Sequence, residues 1–296
     1  MESRDGRVAV VVVTRNRRPT TLATVRRLER LPEAPLVIVV DNASTDGTAD
    51  AVRTGHPGVR VVRLPTNMGA AGRNCGAALA PTPYVAFSDD DSWWAPGALT
   101  AAADLFDGNP PVALVAGRVL VGREQRLDPV CEAMAASPLP ATDGPGRAVL
   151  GFVACGCVVR RSAFLGVGGF RLGYGIGGEE ELLAIDLSAA GWAVRYCPEL
   201  LAHHEPATDR PPGRDRRRLQ ARNALRTAWL RRRPAGVVRR SAHVAWQGRA
   251  DPAARRALAD AVRDLGWIWH ERGPVDRALE GDLRVLSSRA RTPADR

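Results

Sequence analysis

The chain has 296 residues and a formal charge of +10 from 42 basic and 32 acidic side chains, and all 42 basic residues are arginine. Without lysine there is no Walker-A ammonium for a β/γ-phosphate, no Schiff base and no amine to serve as a lowered-pKa base. Apolar content of 45% and charged content of 25% argue against general disorder and leave room for one large domain or two smaller ones.

Val8–Val13 is a β-branched run that reads as a buried strand, and Thr20–Leu31 follows with helical spacing at Leu22, Val25, Leu28 and Leu31. Leu36–Val40 is a second strand. It ends in Asp41-Asn-Ala-Ser-Thr-Asp-Gly47, a turn-forming string that can also cap a helix begun by Thr48. Val59–Leu64 is a third strand, residues 70–80 a small-residue helix and Tyr84–Ser88 a fourth strand. Residues 112–121 read as another strand, 122–150 as an irregular excursion, and Gly151–Val159 as extended chain. Glu179–Gly191 has a helical pattern, and Ala193–Cys197 a short last strand leading to Pro198 and His203-His204. Beyond Pro206 the chain is Arg-rich and helical in pattern, with Pro211-Pro212 as a linker signal. Alternating strands and helices predict an α/β fold with a mostly parallel sheet sandwiched by helices.

Charge divides the same way. Residues 1–205 hold 20 Arg against 22 acids, whereas 206–296 hold 22 Arg against 10. We therefore expect a near-neutral body over 1–205 and a basic helical region over 206–296. Five cysteines without a C-x-x-C pair, and the polar start MESRDGR, suggest a reduced, cytoplasmic setting. The apolar runs are too short to span a bilayer.

In open parallel sheets, ligands sit beyond the carboxyl ends of the strands. Those ends carry Thr14-Arg15, Asp41 and Asp89-Asp90-Asp91. Three adjacent carboxylates are unfavourable unless a cation or hydrogen-bond donors neutralise them, and a hard divalent ion accepts one or two carboxylates plus phosphate oxygens. A solvated acidic turn is the plainer alternative for such a triplet in isolation. Asn67-Met-Gly-Ala-Ala-Gly-Arg73-Asn74 opens a helix whose free N–H groups favour an anion; Arg73 could stabilise a phosphate and Asn74 hold the loop. Glu179-Glu180-Glu181 sit at a helix start, where carboxylates either cap or act as a general base. Gly173, Gly175 and Gly178 fit G-x-G-x-x-G, but no clear strand precedes them and three glutamates follow, so a dinucleotide fold is rejected.

Taken in order, Val-Val-Val-Thr14-Arg15-Asn, Val-Val-Asp41-Asn-Ala-Ser-Thr-Asp46, Asn67 to Asn74, Asp89-Asp90-Asp91, Gly-Gly-Glu179-Glu180 and His203-His204 resemble the family-2 nucleotide-sugar glycosyltransferases of GT-A fold over residues 8–205. Arg222-Asn223 resembles the R-N of rhamnosyltransferase-like members. The resemblance implies inverting transfer from a UDP- or dTDP-linked sugar to an acceptor hydroxyl. Thr14, Arg15, Asp41, Asn67, Arg73, Asp89 and Asp90 would then hold the donor. Asp91, with Asp89 and His203 or His204, would hold Mn2+ or Mg2+. Glu180, with Glu179 beside it, would be the base, although the family's usual pair is Glu-Asp. A nucleotidyltransferase is the enzymatic alternative, disfavoured because Thr14–Pro19 contains no glycine, and a non-catalytic nucleotide-sugar binding module is another. The acceptor class stays open between a glycan, a lipid-linked sugar and a small molecule.

Residues 213–233 place Ala221, Leu225, Ala228 and Trp229 at helical spacing between Arg clusters. Such a stripe most simply packs on its own protein. An interfacial helix meeting anionic lipid at the inner face of the membrane is the second reading. Nucleic acid comes last, since no reading motif accompanies the arginines.

Overall fold

The computed structural model describes residues 5–141, 143–206 and 213–289. Strand β1 (Val8–Thr14), helix α1 (Arg18–Glu29), β2 (Leu36–Asp41), α2 (Thr48–Gly55), β3 (Arg60–Arg63), α3 (Gly72–Leu79) and β4 (Tyr84–Asp89) alternate along the first part of the chain. β1 lies parallel to both β2 and β4, and β3 lies parallel to β2. Helices cover both faces of this part of the sheet, which is why Val8–Val12 and Val37–Val40 are apolar without alternation and fully buried.

The second half of the sheet is mixed. β5 (Ser92–Trp94), α4 (Ala98–Gly108), β6 (Val112–Val121), β7 (Arg126–Leu127), α5 (Pro129–Ala135), β8 (Arg147–Ala148), β9 (Cys157–Arg160), α6 (Arg161–Gly166), α7 (Glu179–Ala189) and β10 (Ala193–His204) complete it. The strand order is β3-β2-β1-β4-β9-β6-β10-β5, with β9 antiparallel to both its neighbours and β10 parallel to β6.

Two expectations change. The last strand does not stop at Cys197: it runs through Pro198 to His204. Its register against β6 shifts between Tyr196 and Leu201, so the proline sits in an irregularity where no ladder N–H is required. The 122–150 segment also contains regular structure, including α5, which begins at Pro129 after Asp128 accepts from the Val130 N–H at 2.8 Å. An Asp-Pro start of this kind is legible as a helix N-terminus.

Helices α8 (Gly213–Arg231), α9 (Pro234–Gln247), α10 (Pro252–Arg263), α11 (Leu265–Glu271) and α12 (Arg277–Arg289) follow. The expected linker Pro211-Pro212 lies outside the described residues, as does Met1–Arg4 of the polar start. The stripe on α8 packs inward: Leu225 is buried with Val244, Ala254 and Ala261, and Ala221 and Trp229 pack against them. Other apolar clusters join this region to the body, with Tyr174 and Leu182 against Leu230 and Ile268, and Ile185 against Val275 and Leu283. No helix among the described residues is long and apolar enough to cross a membrane. All five cysteines are free thiols.

α3 reaches the sheet only because of Gly76. A Cβ there would lie 2.4 Å from Val11 Cγ1 and 3.1 Å from Val40 Cγ2. Gly76→Ala is expected to destabilise the fold by about 1–3 kcal/mol through overpacking, read as a lower urea midpoint at unchanged slope. Gly55→Ala, where a Cβ meets nothing within 4 Å, serves as the neutral comparison.

Candidate active site

The carboxyl ends of β1, β2 and β4 meet at one sheet edge, as the register pairs Thr14 with Asp41 and Val13 with Asp89. Asp41 is fully buried. Its Oδ1 accepts from the Ser44 N–H at 2.9 Å, and its Oδ2 has no hydrogen-bond partner among the described residues. Such an atom is ready for a donor on a bound molecule. Asn42, beside it, was not singled out from sequence. It ties the glycine-rich loop to β2, donating to Gly69 O at 3.1 Å and accepting from the Met68 N–H at 3.1 Å. Asn67 accepts from the Gly69 N–H at 2.9 Å within that loop, and Arg15 is exposed at the end of β1.

The three aspartates have distinct surroundings. Asp89 forms an ion pair with buried Arg73. Asp90 turns to β1, where the Thr14 hydroxyl donates to it at 2.9 Å. Burial, together with the charges of Asp91 and Asp89, pushes the Asp90 carboxyl up to about 7. Asp91 is buried, with its Oδ1 3.2 Å from His204 Nε2.

That last contact follows from strand register. β5 pairs antiparallel with the end of β10, opposing His204 to Ser92 and His203 to Trp93. Adjacent strand residues face opposite sides of a sheet, so the two histidines cannot share one site. His203 stacks on Trp93 with centroids 5.5 Å apart, and its Nδ1 lies 2.5 Å from Gln125 Oε1. His204 is the one beside Asp91.

Arg73 stands between the aspartates and the glutamates. It is 4% exposed, and its Nε and Nη1 lack hydrogen-bond partners among the described residues. Burial opposes its charge, but Asp89, Glu179 and Glu180 outweigh burial and hold the guanidinium firmly protonated. Glu179 is buried at the start of α7 and accepts from the Gly177 N–H; Glu180 accepts from the Gly178 N–H at 3.2 Å. Burial raises both carboxyls above the ordinary range, and for Glu179 the charge of Glu180 adds to it. Asn74, expected to hold its own loop, instead ties α3 to residues 168–170, accepting from the Phe170 N–H at 2.9 Å and donating to Phe170 O at 2.8 Å.

The Gly173–Gly178 segment has a structural reason. Gly175 O accepts from the Ala70 N–H at 3.0 Å, and a Cβ on Gly69 would lie 2.8 Å from Gly175 Cα. Two glycine loops touch here, joining the α3 side of the site to the glutamate side.

Among the described residues no three His, Cys, Asp or Glu side chains converge on a common metal position. The Asp91–His204 pair is instead an incomplete set, one carboxylate and one imidazole. It fits a divalent ion whose remaining ligands come from phosphate oxygens and water.

The fold agrees with what the chain is similar to. A family model described as glycosyl transferase family 2 matches residues 9–167. An N-acetylglucosaminyl-diphospho-decaprenol L-rhamnosyltransferase of Mycobacterium tuberculosis is 29% identical over 239 residues, 69% of this chain and 78% of that protein. A pre-mycofactocin glycosyltransferase of the same organism is 34% identical over 213 residues, 68% of this chain but only 43% of that protein. Among solved structures, the mannosyltransferase PcManGT from Pyrobaculum calidifontis in complex with GDP-Man and Mn2+ superposes with TM-score 0.57 at 20% identity, covering 96% of this chain and 86% of that one. S. aureus TarS 1-349 in complex with UDP-GlcNAc gives TM-score 0.57 at 16% identity over 98% of this chain and 93% of that one. These likenesses show a shared fold.

The buried glutamates make stability pH-dependent. A carboxyl whose folded pKa is raised contributes stability that is fully present below its unfolded value and is lost as pH rises through the folded one. The melting temperature, measured without metal, is therefore expected to fall between about pH 5 and pH 9. Glu179→Gln is expected to flatten that fall; a slope identical to wild type would contradict the burial argument.

Proposed function

The chain belongs to glycosyl transferase family 2, and on that premise we propose that it moves a sugar from a UDP- or dTDP-linked donor to an acceptor hydroxyl with inversion at the anomeric carbon. One observation carries this reading. Arg73 pairs with Asp89 at the end of β4 and lies within electrostatic reach of Glu179 and Glu180 at the head of α7, while Asp91, two residues past Asp89, meets His204.

In this reading Asp41 and Asp89 hold the base and ribose, Thr14 holds Asp90 in place, and Arg15 and Asn67 line the donor's path. Asp91 and His204 would hold Mn2+ or Mg2+ with the donor diphosphate; when bound, the ion supplies positive charge to the leaving group. Glu180 takes the proton of the acceptor hydroxyl. That oxygen forms a bond to the anomeric carbon as the carbon–oxygen bond to the nucleoside diphosphate breaks on the opposite face. Burial raises the affinity of the Glu180 carboxylate for a proton, which strengthens it as a base. Arg73 keeps the surrounding carboxylates neutralised.

For the acceptor we propose a lipid-linked sugar, the class named for the M. tuberculosis rhamnosyltransferase. Two exposed aliphatic residues support it: Leu172 and Ile176, each 61% exposed, on the segment just before Glu179. Leu265 and Trp269 are exposed on α11, and Arg171 of the same segment ion-pairs with Glu271 of that helix. Contact with an anionic bilayer would then use these apolar side chains, because the apolar stripe of α8 is already packed inward.

UDP-GlcNAc, GDP-mannose and dTDP-L-rhamnose, compared by Mn2+-dependent thermal shift and slow donor hydrolysis, test the function directly. A uridine or thymidine donor is expected to stabilise the protein with metal and to be hydrolysed. Stabilisation without hydrolysis or transfer would instead indicate a binding module. Asp91→Ala is expected to abolish transfer and the metal-dependent shift. Glu180→Gln is expected to abolish transfer while retaining donor binding, and near-normal turnover would refute its role as base. Co-sedimentation with phosphatidylglycerol vesicles is expected for wild type and lost in Leu172→Ser with Ile176→Ser; equal binding by both proteins would remove this surface from consideration.

A further inference from the structure

The segment that precedes the glutamates is held from behind by α8. Asn223 is fully buried, and its single amide nitrogen donates to Gly177 O at 2.7 Å and to Tyr174 O at 2.9 Å. Its Oδ1 accepts from Arg222 Nη2 at 3.0 Å, and the same nitrogen of Arg222 donates to Tyr174 O at 2.7 Å. One turn on, Arg226 donates to Gly173 O at 2.8 Å while its other nitrogens grip Asp264. Three carbonyls of a glycine-rich segment are thereby satisfied by one face of one helix. On the opposite side the segment touches the loop at Gly69 through Gly175.

We propose that Asn223 is a positioning residue for sugar transfer: by bridging Tyr174 O and Gly177 O it fixes the Gly177–Gly178 backbone that presents Glu180 to the acceptor. The proposal rests on Glu180 being the base. The chemistry is specific to an amide, since one NH2 serves two carbonyls while the oxygen accepts from Arg222. An aspartate of the same shape would turn an acceptor toward two carbonyls, and an alanine would leave Gly177 O without its donor and Tyr174 O with Arg222 alone. Gly178 leaves no slack, because a Cβ there would lie 3.3 Å from Asn223 Cβ. Without the bridge the Gly178 N–H is free to drift from the Glu180 carboxylate it now meets at 3.2 Å.

Burial raises the Glu180 carboxyl, while its own backbone N–H, Arg73 from α3 and the Glu179 side chain on the same helix act against burial; the Cys157 thiol of β9, itself pushed up by burial, stays neutral nearby. Asn223→Ala alters none of these, whereas Asn223→Asp adds a carboxylate whose charge raises Glu180 by itself. A displaced backbone N–H therefore has its own signature: the acidic limb of the kcat profile moves to higher pH, because a donor to the charged form has been withdrawn.

The test compares Asn223→Ala, Asn223→Asp, Thr227→Val and Glu180→Gln in the full chain, with Mn2+ and whichever of the three nucleotide sugars above the wild type hydrolyses. Thr227 is the comparison because its hydroxyl lies 3.3 Å from the Tyr174 hydroxyl in the same buried layer and touches no carbonyl of the segment. Both Asn223 variants are expected to lose about tenfold or more in kcat at unchanged donor KM, as misplacement of a reacting group predicts. The acidic limb of Asn223→Ala is expected to rise by about half a unit or more. Thr227→Val is expected to lower the melting temperature and keep both kcat and the limb. If the Asn223 variants lose melting temperature alone, with kcat per folded enzyme and the acidic limb as in wild type, the amide is a structural prop and the proposal fails. Normal turnover by Glu180→Gln would overturn the base assignment and this proposal with it. An inactive Glu180→Gln beside Asn223 variants that behave like Thr227→Val would overturn the positioning role alone.

Discussion

One buried guanidinium holds the site in its arrangement. Arg73 carries a full charge at 4% exposure, and what keeps it charged is the set of carboxylates around it: Asp89 in direct contact, Glu179 and Glu180 beyond. The dependence runs both ways. Asp89 ends β4, the glutamates open α7, and neither group is neutralised by lysine, because the chain has none. A planar, permanently charged fork suits this position, since it can face carboxylates on two sides without giving up its proton. Two of its nitrogens remain buried without a hydrogen-bond partner among the described residues.

The surroundings of Arg73 are held by close backbone approach. Gly76 lets α3 lie on Val11 and Val40, so Arg73, three residues earlier on the same helix, sits just above the sheet edge. Gly69 meets Gly175, so the loop that precedes α3 leans on the segment that precedes α7. Asn42 fixes the first of these loops and Asn223 the second, each through hydrogen bonds to main-chain groups. Both asparagines are buried, and neither is itself charged. Each acts on the backbone of the loop it holds.

The alternating elements of the first half were legible because fully buried parallel strands such as Val8–Thr14 and Leu36–Asp41 leave continuous apolar runs. Asp41, Asp89 and Asp91 could be singled out because they stand at or just past the ends of those runs. Legibility failed where the arrangement depends on pairing between distant strands. Nothing local in His203-His204 says which imidazole meets Asp91; the antiparallel register with Ser92–Trp94 decides it, and that register exists only after β10 has passed through Pro198. The role of Gly173, Gly175 and Gly178 was equally hidden, because a motif of glycines does not reveal which backbone it approaches. Asn74 was misread for the same reason: its partners, residues 168–170, are far away in sequence.

The C-terminal arginines need the same spatial reading. Counted along the chain they make a strongly basic segment, but folding matches several of them to acids: Arg218 with Asp260, Arg226 with Asp264, Arg231 with Asp186 and Arg232 with Glu280. The Arg232–Glu280 pair is almost completely buried, joined by two hydrogen bonds of 3.0 Å. Although burial would raise the Glu280 carboxyl, the bonds from Arg232 hold it below its ordinary value. Removing one partner of such a pair strands a buried charge, so it fixes the turn that follows α8 against α12 more by the cost of alternatives than by intrinsic attraction. A helix anchored in this way can hold the carbonyls before Glu179 in fixed positions. Arginine thus does two things here: at Arg73 it balances the carboxylates of β4 and α7, and on α8 it secures the helix from which Asn223 reaches the loop.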